Sequence, residues 1–188
     1  MTLPMFDAAD IVVDDRDTWC SPQEIVDALL RLWPDGPDLD PCTNERSIVP
    51  YRRRYTLADC VDVADQTWTG RVYCNPPFSN TGPWAAKMAL HLEGVVGCVL
   101  CDPSVSWWRD IWTADVICFP DHRVKFIGPS AFVNDQMATR RSSSFDRPIA
   151  LPFWLPIWRG AGPEPAWYEG LRGSFERAFG TLGKVVHL

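Results

Sequence analysis

Asn75-Pro76-Pro77-Phe78 is the part of this 188-residue sequence whose residue types and order carry chemistry most directly. A proline after Asn75 biases it toward an extended backbone, and two consecutive prolines with φ held near about −65° make a stiff turn. Such a turn directs the Asn75 side-chain oxygen and the Pro76 carbonyl toward one spot beyond the preceding strand. Two converging acceptors suit an exocyclic NH₂ group, holding its hydrogens while its lone pair faces an electrophile. Phe78 adds a flat apolar surface for the ring that bears the amine. The competing reading is structural: a Pro-Pro pair that ends a strand, with Asn75 capping the turn.

The elements that must position this tetrapeptide follow from the flanking pattern. Gly70–Cys74 reads as a buried strand running into the loop, and a helix is expected from about Pro83 to Leu92. Ser21-Pro22-Gln23-Glu24 has the grammar of a helix start, with Ser21 as N-cap, Pro22 at the first helical position and Glu24 closing a capping box. Ile25, Ala28, Leu29 and Leu32 then recur at helical spacing, predicting a helix over 22–33. Asp38-Leu39-Asp40 is expected to end a strand before a turn at Pro41, and residues 42–69 read as irregular. Strands are expected at 95–101, 115–119, 123–127 and 145–154, the last two of these antiparallel at the sheet edge. A short helix falls at 106–112. Alternating strands and helices predict an α/β fold, a central mostly parallel sheet with helices on both faces. In such sheets ligands bind outside the carboxyl ends of the strands, where Asn75 falls. Pro163–Gly180 is expected to be partly helical, interrupted at Gly170 and Gly173, and residues 129–144 to form a long polar loop.

Composition bounds the function. Eighteen basic against 24 acidic side chains give −6, which argues against a surface that is basic all over. The charge is uneven: residues 7–17 carry five aspartates against one arginine, so residues 1–17 read as a flexible acidic arm, leaving 18–188 as a single domain. Arg52, Arg53 and Arg54 form the densest basic run, and Arg140 and Arg141 lie in the polar loop. Each pair or run reads equally as a phosphate-binding patch or as a solvated surface. Seven cysteines cannot all pair within the chain, and residues 1–17 lack a secretory pattern, so reduced thiols and a cytoplasmic protein are expected. Cys98 and Cys101, three apart on a strand, point to opposite faces and predict no metal site. The tryptophans at 107, 108, 112, 154, 158 and 167 read as core. No apolar run approaches a membrane span.

The wider pattern adds a resemblance. Trp19-Cys-Ser-Pro-Gln-Glu24, Asp38-Leu-Asp-Pro-Cys42, Trp68-Thr-Gly-Arg-Val-Tyr-Cys-Asn-Pro-Pro-Phe78, Trp84 with Lys87, Trp107-Trp108 and Arg123-Val-Lys-Phe126 occur in that order. Over residues 18–127 this resembles the phage-type DNA N-6-adenine methyltransferases. The resemblance implies a Rossmann-like class I methyltransferase domain using S-adenosylmethionine, with direct methyl transfer to adenine. Asn75, Pro76, Pro77 and Phe78 would be catalytic. Trp19, Ser21, Pro22, Asp40 and Asp62 would contact the cofactor, with Asp59 competing with Asp62 for the last position. Duplex DNA is the implied partner, with the base flipped out and held by loops; no metal is needed, and a phage or prophage source in a bacterial host is implied. The sequence departs from the broader methyltransferase pattern in lacking a G-x-G turn after the first strand, where Asp40-Pro-Cys-Thr43 stands, and in carrying Phe78 where Tyr is more frequent. RNA adenine, another amine or amide, and a non-catalytic binding role stay open at this level.

Overall fold

A computed structural model describes residues 17–56, 62–128, 145–157 and 166–188. Arg140 and Arg141, Asp59, Trp158 and all of the acidic arm but Asp17 lie outside the described residues, as do residues 129–144, for which a polar loop is expected.

The first helix, α1 (Gln23–Leu32), buries Ile25, Val26, Ala28, Leu29 and Leu32, the stripe set by its apolar spacing. Its start differs from the expected capping box. Pro22 occupies the N-cap position and no side chain caps the helix, because the Ser21 hydroxyl is spent on the buried Tyr73 hydroxyl at 2.6 Å. The strands β1 (Leu39–Thr43), β2 (Arg53–Thr56) and β3 (Val72–Cys74) follow, then α2 (Gly82–Leu90), β4 (Val95–Gly97) and β5 (Val99–Leu100). After them come α3 (Trp108–Ile111), β6 (Val116–Pro120), β7 (Val124–Phe126), β8 (Phe145–Arg147), β9 (Ile149–Trp154), α4 (Ala166–Phe179) and β10 (Gly183–His187). Residues 42–69 are thus less irregular than expected: they contain β2 and a 3₁₀ turn, Val63–Asp65.

The main sheet runs β2-β1-β3-β4-β9-β6-β10, with β5 also on β9. From β2 to β4 the pairings are parallel. The expectation of a mostly parallel sheet holds for that half, while every pairing of β9 and β10 is antiparallel. Contrary to the edge position expected for 145–154, β9 lies inside the sheet, and its six residues are all buried. Pro152 there lacks an amide hydrogen, and the register of β4 and β5 on β9 sets it opposite Gly97. A Cβ on Gly97 would stand 3.1 Å from the Pro152 ring and 2.9 Å from Met88 Sδ. The break between β4 and β5 falls at Cys98, whose amide turns to the Cys74 carbonyl.

Alternation along each strand splits the interior into two cores. Tyr73, Val96, Cys98, Cys118, Leu151 and Phe153 face α1 and α4, while Val72, Cys74, Val95, Val99, Ile117 and Trp154 face α2 and α3. Helices therefore cover both faces. Cys98 belongs to the first core and Cys101 packs on the second, the opposite-face arrangement expected for that pair. In α4 the helix continues through Gly170 and Gly173, carried by the buried Phe175, Ala178 and Phe179. Phe175 stacks on Phe153 at 5.1 Å and on Phe179 at 4.4 Å, and burial of one such ring contributes about 1.5–3 kcal/mol, enough to offset the helix penalty of the glycines.

Two contacts fix where β1 and β3 begin. The Asp38 carboxylate accepts from the Arg71 amide at 2.9 Å and its guanidinium at 3.1 Å. These bonds, with Arg52 nearby, hold its carboxyl below the usual carboxylate range. Gly70 passes that carboxylate with φ +76°, and a Cβ there would lie 2.8 Å from it.

Candidate active site

β1 and β3 lie side by side in parallel, so their carboxyl ends open on the same edge of the sheet. Asp40 stands within β1, level with Tyr73 of β3, and Asn75 lies just beyond the end of β3. Between them and the segment before α1 is a cleft walled by Trp19, Cys20, Ser21, Asp40, Cys42, Thr43, Asn44, Ser47, Tyr73 and Asn75. Four of the residues singled out from the sequence thus meet in one place: Trp19, Ser21, Asp40 and Asn75.

β1 runs on to Thr43 instead of turning at Pro41. Its pairing with β2 shifts register between Asp40 and Thr43, which accommodates a proline in the strand. The Pro41 carbonyl accepts from Gln66 Nε2 at 3.0 Å, and Gln66 Oε1 accepts from the Trp68 indole at 2.9 Å. Lys87 closes this bracket by donating to the Gln66 carbonyl at 2.7 Å, 5.5 Å over the Trp68 ring. Trp68 and Lys87, parts of the family-like pattern, therefore act on the peptide next to Asp40.

Asp40 is 3% exposed. Burial pushes its pKa up to about 7, opposed by hydrogen bonds from the Cys42 amide and the Thr43 hydroxyl. The Cys42 amide lies 3.3 Å from Asp40 Oδ1. A buried carboxylate with so few donors is suited to a ligand that brings hydroxyl or ammonium donors of its own.

Asn75 is held from two sides. Its Nδ2 donates to the Trp19 carbonyl at 3.0 Å, and its own carbonyl accepts from Cys42 Sγ at 3.1 Å. Burial raises the Cys42 thiol well above its ordinary range, keeping it a protonated donor. The Trp19 carbonyl can only accept, so it orients the amide with nitrogen toward Trp19 and Oδ1 away. That Oδ1 is buried and has no hydrogen-bond partner among the described residues. An orphaned buried acceptor costs roughly 1–3 kcal/mol, and it is the kind of group a substrate NH₂ would satisfy.

Other sequence candidates lie elsewhere. Pro22, Pro76, Pro77 and Phe78 are not among the cleft walls; Phe78 packs edge-on against Phe126 at 5.6 Å, tying the loop to β7. Asp62 is exposed and accepts from the Ala64 amide at 2.9 Å, opening the 3₁₀ turn outside the cleft. Arg52 pairs with Asp38 at 3.6 Å, Arg53 bonds Thr69, and Arg54 donates to the Tyr51 hydroxyl at 3.0 Å. Arg53 and Arg54 lie on β2 beside Leu39 and Asp40, which brings this basic strand to the flank of the cleft. Asn44 and Tyr73 carry no separate expectation in the sequence reading. Tyr73 was concealed by its place in a buried strand, and the available signal for Asn44 was an amide side chain one residue past the end of β1.

Among the described residues no cluster of His, Cys, Asp and Glu forms a metal site, and no helix is long and apolar enough to cross a membrane. A family model described as DNA N-6-adenine-methyltransferase (Dam) matches residues 8–156. No curated protein and no solved structure matches the chain. The family match spans most of the sequence, and the chain therefore belongs to the Dam family of DNA N-6-adenine methyltransferases.

Proposed function

We propose that this chain methylates the N-6 amino group of adenine in duplex DNA, using S-adenosylmethionine and drawing the base out of the stack toward the Asn75–Phe78 loop. The observation that carries the reading is Asn75 Oδ1: buried, without a partner, oriented by the Trp19 carbonyl, and in the same cleft as the buried Asp40. S-adenosylmethionine, when bound, supplies an electrophilic methyl group on a sulfonium. Asp40 holds this ligand through its hydroxyl or ammonium donors, with Trp19, Ser21 and Pro22 bordering it and Asp62 a more distant member of the set. Ionisation of Asp40 is favoured by a cationic neighbour, so a ligand bearing positive charge suits a carboxyl that ionises near neutrality. Asn75 Oδ1 and the Pro76 carbonyl accept from the adenine NH₂, raising electron density on its nitrogen and fixing its direction. Pro77 keeps the loop stiff, and Phe78 presents an apolar face to the base.

The fold reading that goes with this function is a Rossmann-like class I methyltransferase. The parallel run β2-β1-β3-β4 and helices on both faces support it. DNA is held by Arg52, just before β2, by Arg53 and Arg54 on β2, and by Arg140 and Arg141. The setting is the cytoplasm of a bacterial host, with a phage or prophage gene.

Expression in a methylation-deficient bacterium, followed by modified-base sequencing of its DNA, tests base, strand context and activity together. N-6-methyladenine in the host genome is expected, absent with Asn75→Ala although that variant still binds S-adenosylmethionine by calorimetry. An unmodified genome with folded protein, or an active Asn75→Ala variant, contradicts the reading.

A further inference from the structure

The chain before α1 lines the cleft through Trp19, Cys20 and Ser21 and is fastened at every residue from Asp17 to Ser21. Asp17 accepts from the Ser79 amide at 3.1 Å and its hydroxyl at 2.5 Å. The Thr18 carbonyl accepts from Asn44 Nδ2 at 3.2 Å, and the Trp19 carbonyl from Asn75 Nδ2 at 3.0 Å. Cys20 exchanges both backbone bonds with Ile127 at 3.0 Å each, and Ser21 bonds Tyr73 at 2.6 Å. The Thr18 and Trp19 carbonyls thus bond different partners, and the segment is gripped between Asn44, past the end of β1, and Asn75, past the end of β3.

Asn44 is the hub on the β1 side. Its Oδ1 accepts from the Arg46 amide at 2.9 Å and from Cys20 Sγ at 3.2 Å. These two donors leave Nδ2 as the group that faces Thr18, so the Asn44 amide has one orientation. Through Thr18 it sets the height of the Trp19 carbonyl, and that carbonyl sets which end of the Asn75 amide faces the substrate. Releasing the grip lets Asn75 rotate its amide by half a turn and present a donor where the acceptor stood.

We propose that Asn44 is a positioning residue for the methyl-transfer reaction, acting through the Thr18–Trp19 backbone to hold Asn75 Oδ1 as the acceptor for the adenine amine. This rests on the reading of Asn75 as the group that receives that amine. Asn44→Asp keeps an acceptor for Arg46 and Cys20, but its carboxylate cannot donate to the Thr18 carbonyl; once protonated it can.

The test uses the full chain, unmethylated genomic DNA and tritium-labelled S-adenosylmethionine, with cofactor affinity measured separately by calorimetry. Asn44→Asp is expected to lower kcat about 10- to 100-fold, the scale of a misplaced reacting group. Its cofactor affinity should stay within about threefold, and its kcat relative to the natural chain should recover as pH falls to about 4, where an ordinary aspartic carboxyl gains its proton. Asn44→Ser, too short to reach Thr18, covers the case in which the acidic variant does not fold. It should show the same kcat loss without the recovery at low pH. An unchanged kcat in either folded variant overturns the proposal, and so does a loss of cofactor affinity that accounts for the whole loss of rate in both. Asn75→Ala run alongside separates the two levels: activity in that variant removes the underlying reading, whereas an inactive Asn75→Ala with fully active Asn44 variants removes only the role of Asn44.

Discussion

Replacing Asp40 with Asn should separate what this carboxyl costs the fold from what it contributes to the site. Buried among β1, Tyr73 and the segment before α1, Asp40 ionises near 7 in the folded chain against an ordinary value of 3.8. Between those two values the folded state holds a proton that the unfolded state has lost. Stability contributed by the neutral form is complete below about pH 4 and declines as pH rises, levelling off once pH passes about 7. At about 1.4 kcal/mol per pH unit the whole interval amounts to about 4 kcal/mol, of which nearly 3 falls between pH 5 and pH 8.

Asn has the shape of Asp and keeps an oxygen for the Cys42 amide, but it does not ionise. The difference in unfolding free energy between Asp40→Asn and the natural chain, measured by urea denaturation without cofactor, should therefore grow by about 3 kcal/mol in favour of the variant from pH 5 to pH 8. Taking the difference cancels the other titrating groups that both chains share. S-adenosylmethionine affinity should move the opposite way: weaker in the variant, and without the rise with pH that the natural chain shows as its carboxylate forms. Parallel stability curves for the two chains would refute the assignment of Asp40 as a buried, largely neutral carboxyl. Equal cofactor affinity at pH 8 would refute its role in binding.

Further outcomes follow from the same contacts. Gly70→Ala combines a left-handed backbone with a Cβ driven into Asp38, so it should lose at least ~1–3 kcal/mol by urea denaturation; stability equal to the natural chain would mean the turn at the start of β3 relaxes freely. Tyr73→Phe leaves the buried Ser21 hydroxyl unpaired and should cost about 1–3 kcal/mol, much of it recovered on adding Ser21→Ala. A double-mutant cycle that shows no coupling would remove that bond from the account. Reversing the charge of Arg53 and Arg54 should weaken binding to a DNA duplex and flatten its dependence on salt, read by fluorescence anisotropy at several salt concentrations; an unchanged salt slope would leave β2 as an ordinary edge strand.

The fold was most legible where one element's pattern was settled by its own residues. The α1 stripe, the strand leading to Asn75 and the alternation at Cys98 and Cys101 follow from periodicity, because the faces they choose are fixed by two- and 3.6-residue repeats. Three features depended on partners far along the chain. Pro152 argues against a central strand until Gly97 is known to lie opposite it. Gly170 and Gly173 argue for a broken helix until Phe175 and Phe179 are seen to anchor it on β9. β10 carried no signal strong enough to expect, and it pairs along its whole length with β6. Ser21 failed for a related reason: capping grammar counts a hydroxyl as available to its own helix, and a tyrosine 52 residues away claimed it.

In the candidate site the types of residue were legible and their couplings were not. Asn75 and Asp40 stand out by motif, yet nothing local says that Cys42 joins them. Its amide reaches Asp40 and its thiol reaches the Asn75 carbonyl, which is possible because β1 and β3 are adjacent and parallel and end together. The same adjacency lets one short segment, Thr18 to Ser21, touch both strand ends and the strand interior. A carboxyl within β1 and an amide beyond β3 are thus joined through Cys42, by its backbone amide on Asp40 and its thiol on the Asn75 carbonyl, while the Trp19 carbonyl holds the Asn75 side chain. The segment before α1 bonds Asn44, Asn75 and Ser79 in turn, so it belongs with the Asn75–Phe78 loop as one hydrogen-bonded unit.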